Sequence, residues 1–135
     1  MSLFAGEEPL VVKSDDEWRM QLSVSEFAVL RRGGTERPWS GQYVDTRMPG
    51  IYCCRACSAE VFRSRTKVES ASGWATFSAP LSADNVILRP DRNARMTRIE
   101  VRCAGCHGFL GLFTPDGDEY RINSLALRLQ PAEIR

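Results

Sequence analysis

A C-x-x-C turn follows a short apolar run in the segment Ile51-Tyr52-Cys53-Cys54-Arg55-Ala56-Cys57. A second C-x-x-C turn, Cys103-Ala104-Gly105-Cys106, follows the alternating segment Arg98-Ile99-Glu100-Val101-Arg102. Each turn lies between two stretches that predict strands, because apolar residues cluster there or alternate with polar ones. A C-x-x-C turn between two strands is typical of a zinc knuckle, in which both thiolates bind the same ion.

The two turns together predict one structural zinc ion per chain, bound by Cys54, Cys57, Cys103 and Cys106. Soft thiolate ligands favour zinc over calcium or magnesium. Four sulfurs leave no open position for water, so the site would stabilise the fold by joining distant hairpins. Two alternatives remain: four buried cysteines without a metal, or redox pairs. A redox C-x-x-C motif usually lies at a helix start and not between strands.

The rest of the chain predicts two helices followed mostly by strands. Capping-box spacings, Ser14 with Glu17 and Ser23 with Glu26, predict helices over 15–22 and 24–32. Gly33-Gly34 is expected to end the second helix. The predicted class is α+β, mainly β: short N-terminal helices and an antiparallel sheet or barrel held together by zinc. Strands are expected over 51–54, 59–62, 86–88 (closed by Pro90), 98–102, 109–113 and 120–129 (closed by Pro131).

Length and composition limit the classes of protein. The 135 residues suit one domain, 1–135, with residues 1–13 as a loose tail. A hydrophobic fraction of 43% and a charged fraction of 26% exclude disorder as the main state. No apolar run reaches the roughly 18–20 residues of a membrane span, so no membrane partner is expected.

Charge and cysteine usage add two expectations. The formal net charge is +1, and Asp91 and Glu100 interrupt the arginine-rich segment 89–102, so no nucleic-acid partner is expected. Five cysteines and a start without a basic and apolar leader argue against a secreted disulfide framework. The expected compartment is therefore the reducing cytoplasm.

Six segments in chain order resemble one family, the type B methionine-R-sulfoxide reductases (the SelR domain). The most specific is Gly34-Thr35-Glu36-Arg37-Pro38-Trp39-Ser40-Gly41-Gln42-Tyr43, which is similar to the family signature G-T-E-R-P-F-[ST]-G-x-Y. The resemblance covers nearly the whole chain. The other segments are residues 17–29, 50–57, 72–77, 98–106 and 122–128.

The resemblance implies a fold and a reaction. Such proteins form an antiparallel, barrel-like domain with short N-terminal helices, similar to the Mss4-like zinc proteins. A cysteine attacks the sulfur of methionine-R-sulfoxide in a protein and becomes a sulfenic acid, which a resolving thiol or thioredoxin reduces. This chemistry needs a thiolate, an acid for the departing oxygen and an aromatic wall for the methyl group.

The residues at the implied reaction site depart from the family. The nucleophile position, immediately before Ile122-Asn123-Ser124, holds Arg121, and a guanidinium group cannot attack sulfur. The stretch Phe109–Phe113 carries neither of the two family histidines. Ser72 stands at a resolving-cysteine position and Leu129 at an aromatic one. The expected substrate pocket retains Trp74 as its aromatic wall and Asn123, and it also contains Phe109 and Arg121.

Three further side chains have alternative interpretations. Cys53 fits a small apolar strand residue facing away from Cys54, but it could be a displaced nucleophile or a regulatory thiol. His107 fits a residue beside the second knuckle, but it could be an extra metal ligand. Arg121 could be exposed if the strand register shifts. If it points into the pocket, it would favour a carboxylate or another anion.

These observations leave three functional hypotheses. The first is a family member without reductase chemistry, retained as a binding module for a methionine-containing peptide, a small ligand or a protein partner. The second is an active peptide-methionine (R)-S-oxide reductase that uses Cys53. The third is a small-ligand or anion receptor on the same scaffold. Whether the chain is an enzyme therefore stays open at the level of sequence.

Overall fold

The computed structural model describes residues 8–91 and 98–132, and its first regular elements are two short helices. Helix α1 spans Asp15–Gln21 and helix α2 spans Val24–Arg32. Each begins with a capping box; in the first, Glu17 N donates to Ser14 Oγ at 3.2 Å and Ser14 N donates to Glu17 Oε1 at 2.9 Å. Gly33 ends α2 with a φ of 72°. Both helix predictions are confirmed.

The described strands form two sheets in which every pairing is antiparallel. The three-stranded sheet has the order β2-β1-β9, and the six-stranded sheet has the order β3-β4-β8-β7-β6-β5. The predicted class, mainly β with two helices, is confirmed. The strands are β1 (Gly50–Cys54), β2 (Glu60–Arg63), β3 (Lys67–Val68), β4 (Ala75–Phe77), β5 (Val86–Asp91), β6 (Arg98–Cys103), β7 (Phe109–Thr114), β8 (Glu119–Ile122) and β9 (Leu127–Pro131).

The segment 120–129 differs from the prediction of one continuous strand. It contains the end of β8, a 3-10 turn at Ser124–Ala126 and the start of β9. The turn carries the chain from one sheet to the other, since β8 pairs with β7 and β9 pairs with β1. Tyr43 N donates to Ser124 Oγ at 3.1 Å, which holds the turn against a distant loop.

One of the two prolines that were expected to close a strand lies inside it. Pro90 pairs with Ile99 within β5, whereas β9 ends at Pro131 as expected. β5 lies at the edge of the six-stranded sheet. An edge strand tolerates a proline because one row of its N–H groups needs no partner strand.

The core lies between the helices and the two sheets. Trp18 of α1 and Leu30 of α2 are fully buried. The Phe62 and Phe77 rings stack with centroids 4.5 Å apart and link the three-stranded sheet to the six-stranded one. Fully burying one large apolar side chain contributes about 1.5–3 kcal/mol, so these contacts make the two sheets and the helices one packed unit.

Some predictions fall outside the described residues. These are the part of the predicted tail that covers residues 1–7 and the arginines Arg92 and Arg95 of the arginine-rich segment. Residues 10 and 11 of the predicted tail are attached, because Leu10 N and Val11 N both donate to Gly105 O, at 2.8 and 2.9 Å. Among the described helices, none is both long enough and apolar enough to cross a membrane.

Candidate metal centre and adjoining pocket

The four cysteines of the two C-x-x-C turns meet at one point. Their sulfur atoms all lie within 4.8 Å of one another. Cys54 Sγ lies 3.7 Å from Cys106 Sγ, and Cys57 Sγ lies 3.5 Å from Cys103 Sγ. A tetrahedral zinc ion with Zn–S bonds of about 2.3 Å sets its sulfurs about 3.8 Å apart. The spacing therefore fits one tetrahedrally bound metal ion, which these four residues could hold.

The two turns have the same backbone geometry. Cys54 N donates to Ala59 O at 2.7 Å, and the equivalent Cys103 N donates to Gly108 O at 2.9 Å. The residue after each turn, Ser58 or His107, has a left-handed φ, 68° and 62° respectively. Histidine is among the residues enriched at positive φ. In the described chain the ligand cluster contains the four cysteines and does not include His107.

Crowding of the thiols separates their pKa values. Hydrogen bonding with Cys103 raises the pKa of Cys54 and lowers the pKa of Cys106. The pKa of Cys57 is lowered, first by its hydrogen bond with Cys103, and the pKa of Cys103 is raised, first by its hydrogen bond with Cys106. Gly105 N and Gly108 N donate to the sulfurs of Cys103 and Cys106, each at 3.3 Å. A metal ion binds cysteines as thiolates, so metal binding here would release the protons that the thiols carry.

The N-terminal helices dock on the backbone of the two turns. Arg31 Nη1 of α2 donates to Cys106 O at 3.0 Å, and Gln21 Nε2 of α1 donates to Ala56 O. The two turns also belong to different sheets, since Cys54 ends β1 and Cys103 ends β6. The cysteine cluster therefore joins both sheets and both helices.

A small pocket of about 70 Å³ lies on the six-stranded sheet. It brings together Trp74, Arg121 and Asn123, three of the four residues that the sequence assigned to a substrate pocket. Leu112 and Arg121 lie side by side in it because they are directly paired between β7 and β8. The pocket is lined by Thr35, Trp74, Gly111, Leu112, Thr114, Arg121 and Asn123.

Hydrogen bonds between side chains and the backbone fix the walls of this pocket. Trp74 Nε1 donates to Glu36 O at 2.9 Å, and Glu36 N donates to Asn123 Oδ1 at 2.9 Å. Asn123 Nδ2 donates to Leu110 O at 3.0 Å, and Leu125 N donates to Glu36 Oε1 at 2.9 Å. Glu36 is only 7% exposed and connects both walls. The sequence analysis assigned no role to Glu36, Thr35 or Leu112, although the first two lie within the signature-like segment.

The charge of Arg121 is already compensated. Its Nε and Nη2 atoms lie 3.3 and 3.1 Å from Glu119 Oε1. Both side chains are about one-third exposed, 36% and 35%. Arg121 therefore lines the pocket as half of an ion pair rather than as an isolated cation.

Phe109, the fourth residue assigned to the pocket, is only 1% exposed and lies in the core. The Arg102 guanidinium carbon lies 5.7 Å from the centre of its ring. The β6–β7 register shifts between Val101 and Arg102, which interrupts the alternation of side chains along β7, and Leu112 rather than Phe109 lines the pocket. Ser72 Oγ accepts a hydrogen bond from Trp74 N at 3.3 Å, and Leu129 N donates to Tyr43 OH at 3.1 Å.

Cys53 lies in the other sheet. It pairs with Arg128 of β9 and is only 2% exposed. Its sulfur lies 3.9 Å from Gln130 Oε1. Burial raises the pKa of its thiol. Cys53 is not among the residues that line the Trp74 pocket.

A larger depression, about 340 Å³, lies in a part of the surface that the sequence did not single out. Charged side chains of both signs line it, among them Asp45, Arg47, Lys67 and Glu69. Lys67 Nζ donates to Val44 O at 2.9 Å, and burial lowers the pKa of Lys67. The depression shares no lining residue with the Trp74 pocket.

Comparison with known proteins agrees with the resemblance seen in the sequence. The model of the SelR domain matches residues 22–131. A protein of Leifsonia xyli subsp. xyli named peptide methionine sulfoxide reductase MsrB is 43% identical over 129 residues, which covers 91% of this chain and 93% of that protein. Proteins of the same name from Azotobacter vinelandii and Methanosarcina barkeri are 43% and 42% identical, over 90% and 91% of this chain and 95% and 90% of their own.

Proposed function

This chain belongs to the SelR domain family, and from that premise we propose that it has kept the family's ligand pocket but not the reductase chemistry. The proposed function is a binding module for a methionine-containing peptide. The proposal rests on one observation. Arg121 lines the pocket together with Trp74 and Asn123, and it stands at the position where the family resemblance implies the nucleophile.

The reactive groups of the pocket support the loss of chemistry. Reduction of a sulfoxide by a thiol needs a nucleophilic sulfur, and none of the residues that line this pocket is a cysteine or a histidine. Leu112 and Arg121 are paired neighbours on β7 and β8. They occupy the positions at which the reaction would need an acid and a thiol, respectively. An arginine side chain stays protonated and cannot form the sulfenic acid that the reaction requires.

The walls of the pocket support retained binding. The Trp74 indole offers an apolar face, and its N–H group is already bonded to Glu36 O, so the indole orientation is fixed before a ligand arrives. Asn123 is 2% exposed and bonded to both Glu36 and Leu110. A preorganised apolar wall suits a thioether or S-methyl group, since little ordering is left to be done on binding.

The two alternatives are less well supported. A displaced nucleophile at Cys53 would need access to the Trp74 pocket, but Cys53 is buried in the other sheet. A receptor for free anions would need an uncompensated cation, but Glu119 already pairs with Arg121.

The proposal includes one structural zinc ion per chain at Cys54, Cys57, Cys103 and Cys106. The four sulfurs have the spacing of a tetrahedral tetrathiolate site and would leave no position open for a reactive water. The five free cysteines also suit a reducing compartment such as the cytoplasm, which cell fractionation would test. Metal analysis tests the zinc: less than about half an equivalent per chain after mild purification would count against it.

The first experiment asks whether any reductase activity remains. Zinc-loaded protein is mixed with a methionine-R-sulfoxide peptide and dithiothreitol, and reduced methionine is measured beside the Leifsonia relative as a positive control. We expect no product above the blank without protein. If the wild type reduces the peptide and Cys53→Ser does not, the proposal is wrong and the chain is an active reductase that uses a displaced thiol.

The second experiment asks whether the pocket binds. N-acetyl-methionine methylamide, as the thioether and as the R-sulfoxide, is titrated into the wild type and Trp74→Ala by calorimetry or NMR. We expect binding to the wild type and a loss of at least about tenfold in the variant, since Trp74 supplies the apolar wall. If the wild type binds neither form, the binding-module proposal is wrong.

A further inference from the structure

Trp39 lies in a tight turn beside the Trp74 pocket. Ser40 N donates to Arg37 O at 3.2 Å, which closes a four-residue turn with Pro38 and Trp39 in its middle. Trp39 N donates to Gly73 O at 2.7 Å, so the turn lies directly against the residue that precedes Trp74. The segment that carries Trp39 also supplies Thr35 to the wall of the pocket.

The backbone of Trp39 does not suit a tryptophan. Its φ is 67°, and it occupies the third position of a turn whose second residue is proline. A turn of this kind with a positive φ at its third residue normally has glycine or asparagine there. A bulky residue with positive φ is a genuine outlier. The local backbone therefore gives no reason for a tryptophan at this position.

The side chain of Trp39 is also exposed. It is 58% accessible, whereas Trp18 is fully buried in the core. Strained residues that persist in a fold cluster at sites of function, and tryptophan is the residue most enriched among the energetic anchors of interfaces. The strained backbone and the exposed side chain both indicate that Trp39 packs against a partner outside the chain.

The size of the pocket indicates what that partner is. About 70 Å³ has room for roughly two water-sized groups, enough for the end of one methionine side chain but not for a peptide backbone. The surface continues beyond Thr35 into an open depression of about 300 Å³ that includes Arg37 and Ser40, the first and last residues of the Trp39 turn. A chain that leaves the pocket along this depression passes the turn that carries Trp39.

We propose that Trp39 is a second anchor, which packs against an apolar side chain next to the methionine of a bound polypeptide. The proposal rests on the proposed function and names its ligand class: an extended polypeptide segment with an apolar neighbour beside the methionine, not free methionine. The Trp74 pocket would bind the methionine side chain, and Trp39 would bind the neighbouring residue.

The test uses two labelled pentapeptides, each as the thioether and as the sulfoxide. One has leucine on both sides of its central methionine and the other has glycine there. Binding to the wild type, Trp39→Asn and Trp39→Phe is measured by fluorescence polarisation. We expect Trp39→Asn to weaken the leucine peptide roughly five- to twentyfold and to change the glycine peptide less than about twofold. Trp39→Phe should restore part of the loss.

A thermal melt excludes a merely structural role. Asparagine tolerates a positive φ, so Trp39→Asn should leave Tm unchanged or raise it by up to about 5 °C. A fall in Tm together with equal weakening of both peptides would overturn the proposal. If the wild type binds both peptides and Trp39→Asn changes neither affinity, the second-anchor proposal is wrong but the binding-module proposal is retained. If the wild type binds no peptide, both proposals are wrong.

Discussion

The cysteine cluster takes Cys103 from β6, and the Trp74 pocket takes Leu112 and Arg121 from β7 and β8 of the same sheet, but the two sites are built differently. The cluster keeps a full set of four ligand atoms, three of them on buried residues. The pocket combines two hydrogen-bonded residues, Trp74 and Asn123, with the Glu119–Arg121 ion pair. Removing one sulfur takes away a ligand atom from a cluster that joins two sheets, whereas exchanging Arg121 breaks one ion pair that is about one-third exposed. The constraints of folding and of chemistry thus fall on different residues of neighbouring strands.

The largest expected effect is the loss of a ligand from the cluster. Cys54→Ser should abolish stoichiometric zinc binding and lower Tm by more than about 15 °C, because structural zinc binding contributes on the order of 10 kcal/mol to folding. The matched control is Cys53→Ala, which removes the neighbouring buried thiol outside the cluster. Metal content and thermal melts measure both. If the two variants lose the same stability, the cluster is not what joins the two sheets.

A smaller loss of stability is expected when the frame of the pocket is changed, that is, the hydrogen bonds among Glu36, Trp74 and Asn123 that fix its walls. Asn123→Ala removes the acceptor of Glu36 N and one of the two donors to Leu110 O, which keeps its bond from the backbone N of residue 123. A buried group left without a partner costs about 1–3 kcal/mol, so we expect a loss of about 1–3 kcal/mol in urea unfolding. Asn85→Ala, at a half-buried turn asparagine, serves as the control. A loss below about 1 kcal/mol would mean that the frame does not depend on Asn123.

The local parts of the fold follow from the sequence because local chemistry determines them. Both capping boxes place a serine oxygen three residues before a glutamate, and that spacing alone satisfies the free N–H groups of a helix start. The strands beside the C-x-x-C turns follow from apolar clustering and alternation. The approach of the four sulfurs follows as well, because two C-x-x-C turns between strands are typical of residues that bind one shared ion.

The remaining features depend on contacts between distant segments. The chain turns at Ser124 because Tyr43 N, far along the sequence, donates to the serine oxygen. Glu36 builds the pocket through bonds to residues 74, 123 and 125, none of which a local pattern can connect. The three-residue strand β4 pairs with β3 and β8, but it is too short to show alternation. Its side chains are buried on both faces.

A modest pH effect is expected on β8, beside the pocket. Burial, and then the Asp118 carboxylate, raises the pKa of Tyr120. The folded protein therefore retains the phenol proton at pH values where the unfolded chain, with a pKa of about 10, has lost it. The stabilising contribution is complete below about pH 10 and is lost as pH rises through the folded pKa. Between about pH 9 and about pH 11, Tyr120→Phe should lose less stability than the wild type. Equal losses would contradict the prediction.

The smallest effect on stability is expected at Arg121. A partly exposed ion pair contributes about 0–1 kcal/mol, so Arg121→Met and Arg121→Cys should both unfold within about 1 kcal/mol of the wild type. A loss above about 2 kcal/mol would show that Arg121 belongs to the frame, and the contrast between cluster and pocket would no longer hold.

Arg121→Cys also tests whether the walls of the pocket fit the thiol-dependent reduction of a sulfoxide. Its thiol would attack the sulfoxide sulfur, take the oxygen to become a sulfenic acid and release the thioether, and dithiothreitol would then reduce the sulfenic acid with loss of water. Turnover should be slow, because Leu112 offers no proton to the departing oxygen, but it should exceed that of Arg121→Ser. Slow turnover at unchanged stability would mean that one side chain separates a binding pocket from a reductase. Equal turnover in the two variants would mean that the walls, too, have moved away from that reaction.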